Sequence, residues 1–247
     1  MTRLTVSRPP AQAGMAWIRS GWALFRTWPV AWMGMTAAAF LAIMGLSMLP
    51  WVGAMLVELL SPILVAGYMY AARAAERGEP VTFLYLGEGA RTHAKPLLVI
   101  GAVYLLAGLL INQVMVALGG SGLQEMLRMA QNPAGLTPEA AEAALAQSLP
   151  AMLVGLLLYT PLLMATWFAP ALVAFAGYAP GNALWWSLWT CFANWRPLLL
   201  YSLVMGLIAA VAMLMPFGLG LLVFLPWAMT STYVAYNAQF VTDSATQ

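Results

Sequence analysis

The chain has 247 residues, 63% of them hydrophobic and only 7% charged, with a net charge of +2 and a mean hydropathy of +0.83. A water-soluble domain carries roughly 25% charged residues, so this composition excludes a surface dressed for water and makes lipid the main solvent. One cysteine, Cys191, and one histidine, His93, exclude an internal disulfide, a cysteine-based zinc site and a multi-histidine metal site. No basic domain is present to hold nucleic acid.

Residues 1–14, with Arg3, Arg8 and Pro9-Pro10, read as a mobile basic arm, contact with anionic lipid being the alternative. A single six-span membrane domain over 15–240 follows, then a short tail, 241–247. Its opening stretch, 15–28, is amphipathic on a helical wheel. Trp17, Ile18, Gly21, Trp22, Leu24, Phe25 and Trp28 share one side, and Arg19, Ala23, Arg26 and Thr27 share the other. Aromatics opposed to basic residues predict a helix lying in the headgroup layer. Pro29 then suits the first turn of a new helix.

Six apolar runs mark the spans: 29–49, 52–72, 96–117, 149–178, 197–215 and 218–236. The first, ~21 residues or about 31 Å as helix, matches the hydrocarbon thickness. In it Gly34, Ala38 and Ala42 form a strip of small residues suited to close helix approach, as does the pair Gly206 and Ala210 in span five. Tight outer turns are predicted at Pro50–Gly53 and Pro216–Gly218. The inner segment 73–96 is the most polar, and Gly78, Pro80 and Gly87 predict a break there. Residues 118–149 predict the one sizeable outer loop. It starts at Gly119-Gly120-Ser121-Gly122, carries a short amphipathic helix over Leu123–Gln131, and opens a second helix over 138–148 behind Thr137 as N-cap. Span four, ~29 residues with Pro161 and Pro170, is too long for one straight crossing and predicts tilt or a kink.

With the N-terminus inside, nine of the ten basic residues fall inside and only Arg128 outside. That predicts six spans with both ends cytoplasmic. The spans form three hairpins that look like repeats. Ser20-x-Trp22-x-x-Phe25-x-x-Trp28-Pro29 returns as Ser187-x-Trp189-x-x-Phe192-x-x-Trp195-Arg196-Pro197. Lys95-Pro96-Leu97-Leu98 matches Arg196-Pro197-Leu198-Leu199, and each returning span carries proline followed by tyrosine: Pro62 with Tyr68 and Tyr70, Pro170 with Tyr178, Pro226 with Tyr233 and Tyr236. All three hairpins would run the same way, around an axis along the membrane normal. The fold class is therefore all-α: a polytopic membrane protein of six transmembrane helices in three hairpins, plus amphipathic interfacial helices.

The aromatic lead-in helices, the three hairpins and the segment Ala71-Ala72-Arg73-x-x-x-Arg77-Gly78-Glu79 resemble a family of uncharacterised six-span inner-membrane proteins of Gram-negative bacteria. The resemblance covers nearly the whole chain. It implies a fold and a place in the inner membrane, and it brings no activity and no catalytic residues.

Among polar residues, Glu58 in span two is the sharpest candidate, because a carboxylate within a span usually faces a partner or a cavity. Asn112 and Gln113 in span three lie at similar depth. Together they make a candidate intramembrane polar site, for a proton or cation, or else a structural carboxylate near the outer boundary. Arg19, Arg26, Arg73, Arg77, Arg91, His93, Lys95 and Arg196 are candidate lipid-headgroup contacts. The tryptophans Trp17, Trp22, Trp28, Trp185, Trp189 and Trp195 are candidate interfacial anchors. No catalytic motif, metal site or cofactor site is legible. The sequence predicts a non-enzymatic protein whose partners are membrane lipids and a membrane protein or second copy. A small-molecule or lipid transporter working around Glu58 is the alternative.

Overall fold

The computed structural model describes residues 4–131 and 137–242. Arg3, the centre of the outer loop and most of the short tail lie outside the described residues. The helices are α1 (Ala13–Phe25), α2 (Pro29–Ser47), α3 (Gly53–Glu76), α4 (Glu88–Gln131), α5 (Pro138–Trp167), α6 (Ala169–Ala176), α7 (Pro180–Ala193), α8 (Trp195–Met213) and α9 (Leu219–Gln239). Short 3-10 turns occupy Phe83–Gly87 and Pro216–Gly218, and two strands, β1 (Leu4–Val6) and β2 (Phe240–Thr242), pair antiparallel. Six helical stretches are long and apolar enough to cross a membrane among the described residues. The chain is an all-α polytopic membrane protein.

Local signals account for most boundaries. Pro29 sits in the first turn of α2, where its missing N–H costs nothing. Gly78 takes a positive φ of 78° and stops the chain beyond α3. The two short turns, after α2 and after α8, are built alike. Gly53 and Gly220 lie the same number of residues after Trp28 and Trp195. A Cβ on Gly53 would stand 3.0 Å from Ser47 Cα, and one on Gly220 would strike the Ala212 backbone. Each glycine lets its hairpin close at once. Trp51, in the first turn, holds a φ of 67° and is almost fully exposed.

The described residues gather into two units, one running to Ala102 and resuming at Met164, the other covering Val103–Leu163. In the larger unit the returning helices α3, α6 and α9 pack together, and each lead-in element packs on the return helix of the hairpin before it. The 3-10 turn Phe83–Gly87 lies on α3, α7 lies on α6, and α1 lies on α9, so the order of contacts is cyclic. Glycine again sets the distance. A Cβ on Gly67 would stand 2.7 Å from Tyr85 O, and one on Gly21 would overlap Ser231.

Two expectations change and a third is sharpened. The N-terminal arm is fastened, not mobile: Leu4, Thr5 and Val6 pair with Thr242, Val241 and Phe240. Ser7 N–H continues the ribbon by donating to Gln239 O at 2.9 Å. An extended basic arm has no apolar period to betray a strand, and its backbone finds partners only in the far end of the chain.

The outer loop is mostly helix. α4 runs unbroken through Gly119–Gly122, and its 44 residues span ~66 Å, about twice the hydrocarbon thickness. α5 starts behind Thr137, whose Oγ1 accepts from Ala140 N–H at 3.2 Å, and continues through the predicted start of span four to Trp167. In the smaller unit these glycines bring two helices together. A Cβ on Gly119 would lie 2.8 Å from the Ala151 Cβ, and one on Gly122 would lie 2.8 Å from Ala144 O.

Span four takes the kink. α5 ends at Trp167 and α6 starts at Ala169, ahead of Pro170. Pro170 has no N–H to carry the helical ladder across the break.

Candidate functional site

Polar side chains converge at the end of the larger unit that carries β1 and β2. Three of the tyrosines that close the returning spans meet there around Phe175 of α6. Tyr70 packs edge-on to Phe175 at 5.5 Å, Tyr233 edge-on at 6.1 Å, and Tyr236 at 5.7 Å. The Arg73 guanidinium stands 5.0 Å over the same ring, a cation–π contact that holds the charge at the rim of the aromatic cluster. Tyr233 donates to Glu76 Oε2 at 2.6 Å. The Tyr70 hydroxyl reaches three groups: Thr92 Oγ1 at 3.1 Å, His93 Nδ1 at 3.2 Å and Ala174 O at 3.2 Å. These hydroxyls lock α3, α4, α6 and α9 to one another through groups that satisfy each other.

A second polar knot ties the chain ends. Asn194, between α7 and α8, is buried and donates to Ser7 O and to Gln239 Oε1, both at 3.0 Å. Gln239 in turn donates to Ala235 O at 3.1 Å. Beside it, the broken fourth span receives its missing partner from α7. The Ser187 hydroxyl accepts from Phe168 N–H at 3.0 Å and donates to Met164 O at 2.7 Å. Cys191, one turn on, points its Sγ at the same carbonyl from 3.5 Å, and burial pushes its thiol up to about 12.

The sequence-predicted residues fall in several places. Glu58 is exposed on α3, and its side chain makes no hydrogen bond or ion pair with other described residues of its own unit. Asn112 and Gln113 are exposed on α4, within the other unit. Each of the three is therefore exposed within its own unit, because the depth of a residue along a span does not fix which face carries it. Of the basic candidates, Arg73 and His93 join the cluster around Phe175. Arg19, Arg26, Arg77, Arg91 and Lys95 are exposed, as is Arg196, which lies 5.4 Å over the ring of Trp195.

The tryptophan anchors divide. Trp17 is buried, stacked obliquely on Tyr201 at 6.4 Å. Trp22 is half-buried between Phe25 and Trp227. The apolar side of α1 thus packs on α9 and α8, because Gly14 and Gly21 let those helices come within backbone contact. Trp28, Trp185, Trp189 and Trp195 are exposed. Of the small-residue strip, Gly34 and Ala42 face outward, Ala38 is half-buried, and Gly34 and Gly206 have open space where a Cβ would go. Sequence reasoning missed Tyr70, Ser187 and Asn194 as organising groups. Ser187 was visible as a repeated serine, but the helix break it serves is nineteen residues away.

The chain is similar to a probable inner membrane protein of Burkholderia thailandensis, 29% identical over 245 residues that cover 94% of this chain and 90% of that protein. No family model matches the sequence. No solved structure matches it.

Proposed function

We propose that this is an integral inner-membrane protein, with both ends cytoplasmic, that works without catalysis through contacts with lipids and with a partner protein or second copy in the bilayer. The carrying observation is the outward aromatic row of α7. Trp185, Trp189 and Phe192 recur at i, i+4 and i+7 and are 62%, 50% and 55% exposed. Such a row suits the headgroup layer or the flank of another membrane protein. The relative's naming as a probable inner membrane protein supports the membrane assigned, and the pairing of β1 with β2 supports ends on one side. The excess of basic residues supports the cytoplasm as that side. Packing supports a non-catalytic role, because the hydroxyls of the cluster around Phe175 are engaged in holding helices together. A transporter built around Glu58 draws no support from that residue's own unit, where its side chain has no polar partner among the described residues.

The test is a photocrosslinker placed at position 189 in native membranes. Crosslinks to lipid or to a second polypeptide are expected. Absence of both, with a Trp189→Cys variant freely labelled by a membrane-impermeant thiol reagent, would overturn the reading.

A further inference from the structure

The arm and the start of α8 enclose a concavity of about 420 Å³, walled by Arg8, Pro9, Asn194, Trp195 and Arg196. We propose that it binds a phosphate group, supplied by the headgroup of an anionic phospholipid. Two arginines line it and no carboxylate does. Neither arginine has an ion pair among the described residues. A guanidinium presents planar paired donors that match phosphate oxygens, and two of them around one concavity complement a single anion. The volume lies in the range of small-ligand sites, above what a bare ion fills.

The site is built before any ligand arrives. Arg8 follows Ser7, which is clamped by its N–H to Gln239 O and its C=O to Asn194 Nδ2. It precedes Pro9-Pro10, whose rings fix two φ angles, and Pro10 O accepts the Ala13 N–H that opens α1. The opposite wall is equally fixed, since Gly14 packs directly on Pro197 O. The concavity sits where α8, an apolar helix able to cross a membrane, begins. That is headgroup depth, and Trp195 beside it is the side chain expected there.

This deepens the lipid half of the proposed function. Crosslinking at position 189 can succeed while binding here fails, so the two are separable. The full chain is purified in neutral detergent and its lipid adducts are counted by native mass spectrometry. Phosphatidylglycerol, phosphatidylcholine and inorganic phosphate are supplied in separate arms. Phosphatidylglycerol should bind in preference to phosphatidylcholine. Arg8→Gln and Arg196→Gln should each weaken it by roughly fivefold and the double variant by roughly thirtyfold, while Arg26→Gln should change little. Inorganic phosphate competing with the same arginine dependence would support the phosphate site and show that a free anion also enters. Binding of either probe that ignores both arginines would overturn the proposal, as would no binding by either. Both side chains are exposed, so unchanged thermal unfolding of the variants is expected and verifies that they fold.

Discussion

α1 and α7 carry one aromatic pattern and use it in different ways. α1 buries Gly14, Trp17, Ile18, Gly21 and Phe25, whereas α7 buries Ala183, Ser187, Thr190 and Cys191. Placed on a common wheel at 100° per residue, the two buried faces differ by ~130°. The cause lies at two small positions. Where α1 has Gly21, against Ser231, α7 has Leu188, whose side chain would forbid that approach. Where α1 has Gly14, against Pro197, α7 has Gly181, which faces open space. α7 therefore turns to the face that carries Ser187, because the break in the fourth span offers an N–H and a carbonyl there. A repeated motif preserved a lead-in helix and left its partner to decide which face is covered.

The largest test of this contrast is a matched pair of truncations. Phe25 is almost fully buried and Phe192 is 55% exposed, although they occupy the same place in the pattern. Phe25→Ala should cost about 3–5 kcal/mol of stability, the transfer and cavity loss of a core aromatic. Phe192→Ala should cost about 0.5 kcal/mol or less. Unfolding in neutral detergent measures both. Equal losses would mean that the two helices bury the same face after all.

The second pair is smaller. Ser187→Ala removes the hydroxyl that serves Phe168 N–H and Met164 O, and should cost about 1–3 kcal/mol. Ser20→Ala, at an exposed position, should change almost nothing. Cys191 supplies an independent readout. Its thiol is held up to about 12 by burial, so at pH 8 it stays protonated in the folded chain and reacts slowly with alkylating reagents. Ser187→Ala should speed that reaction, because α7 then holds the break less firmly. For an acid whose pKa is raised on folding, stability is full below its ordinary range and is lost as pH climbs above it. The folded chain should therefore weaken from about pH 8.5 upward toward 12. A Cys191 labelled as fast as a free thiol in the wild-type chain would refute its burial.

What could be read beforehand follows from where the signal resides. Spans rest on a long apolar average, which survives local error, and the tight turns at Gly53 and Gly218 rest on glycine and proline chemistry within a few residues. Thr137 as N-cap is equally local. Gly119 and Gly122 show the limit. A glycine marks either a break or a close approach, and only the presence of Ala144 and Ala151 opposite decides between them. The site groups lie further out of reach. Asn194 meets Ser7 and Gln239 from opposite ends of the chain. Glu58 shows the converse, since placing a charge within a span says nothing of its azimuth.

The finest distinction between the two helices rests on a single methyl-sized group. Thr190 occupies in α7 the place that Ala23 holds in α1. Ala23 is exposed, whereas Thr190 is fully buried and its Oγ1 has no hydrogen-bond partner among the described residues. Thr190→Val keeps the shape and removes the desolvated hydroxyl, so it should stabilise the chain by about 0.5–1 kcal/mol. Ala23→Val adds β-branching to an exposed helix position and should destabilise by about 0.5 kcal/mol. The opposite signs are the informative part, because helix propensity alone makes Ala23→Val unfavourable and leaves Thr190→Val nearly neutral. A loss of stability in Thr190→Val would show that the hydroxyl is satisfied in the membrane, and that the buried face of α7 admits water or a lipid oxygen.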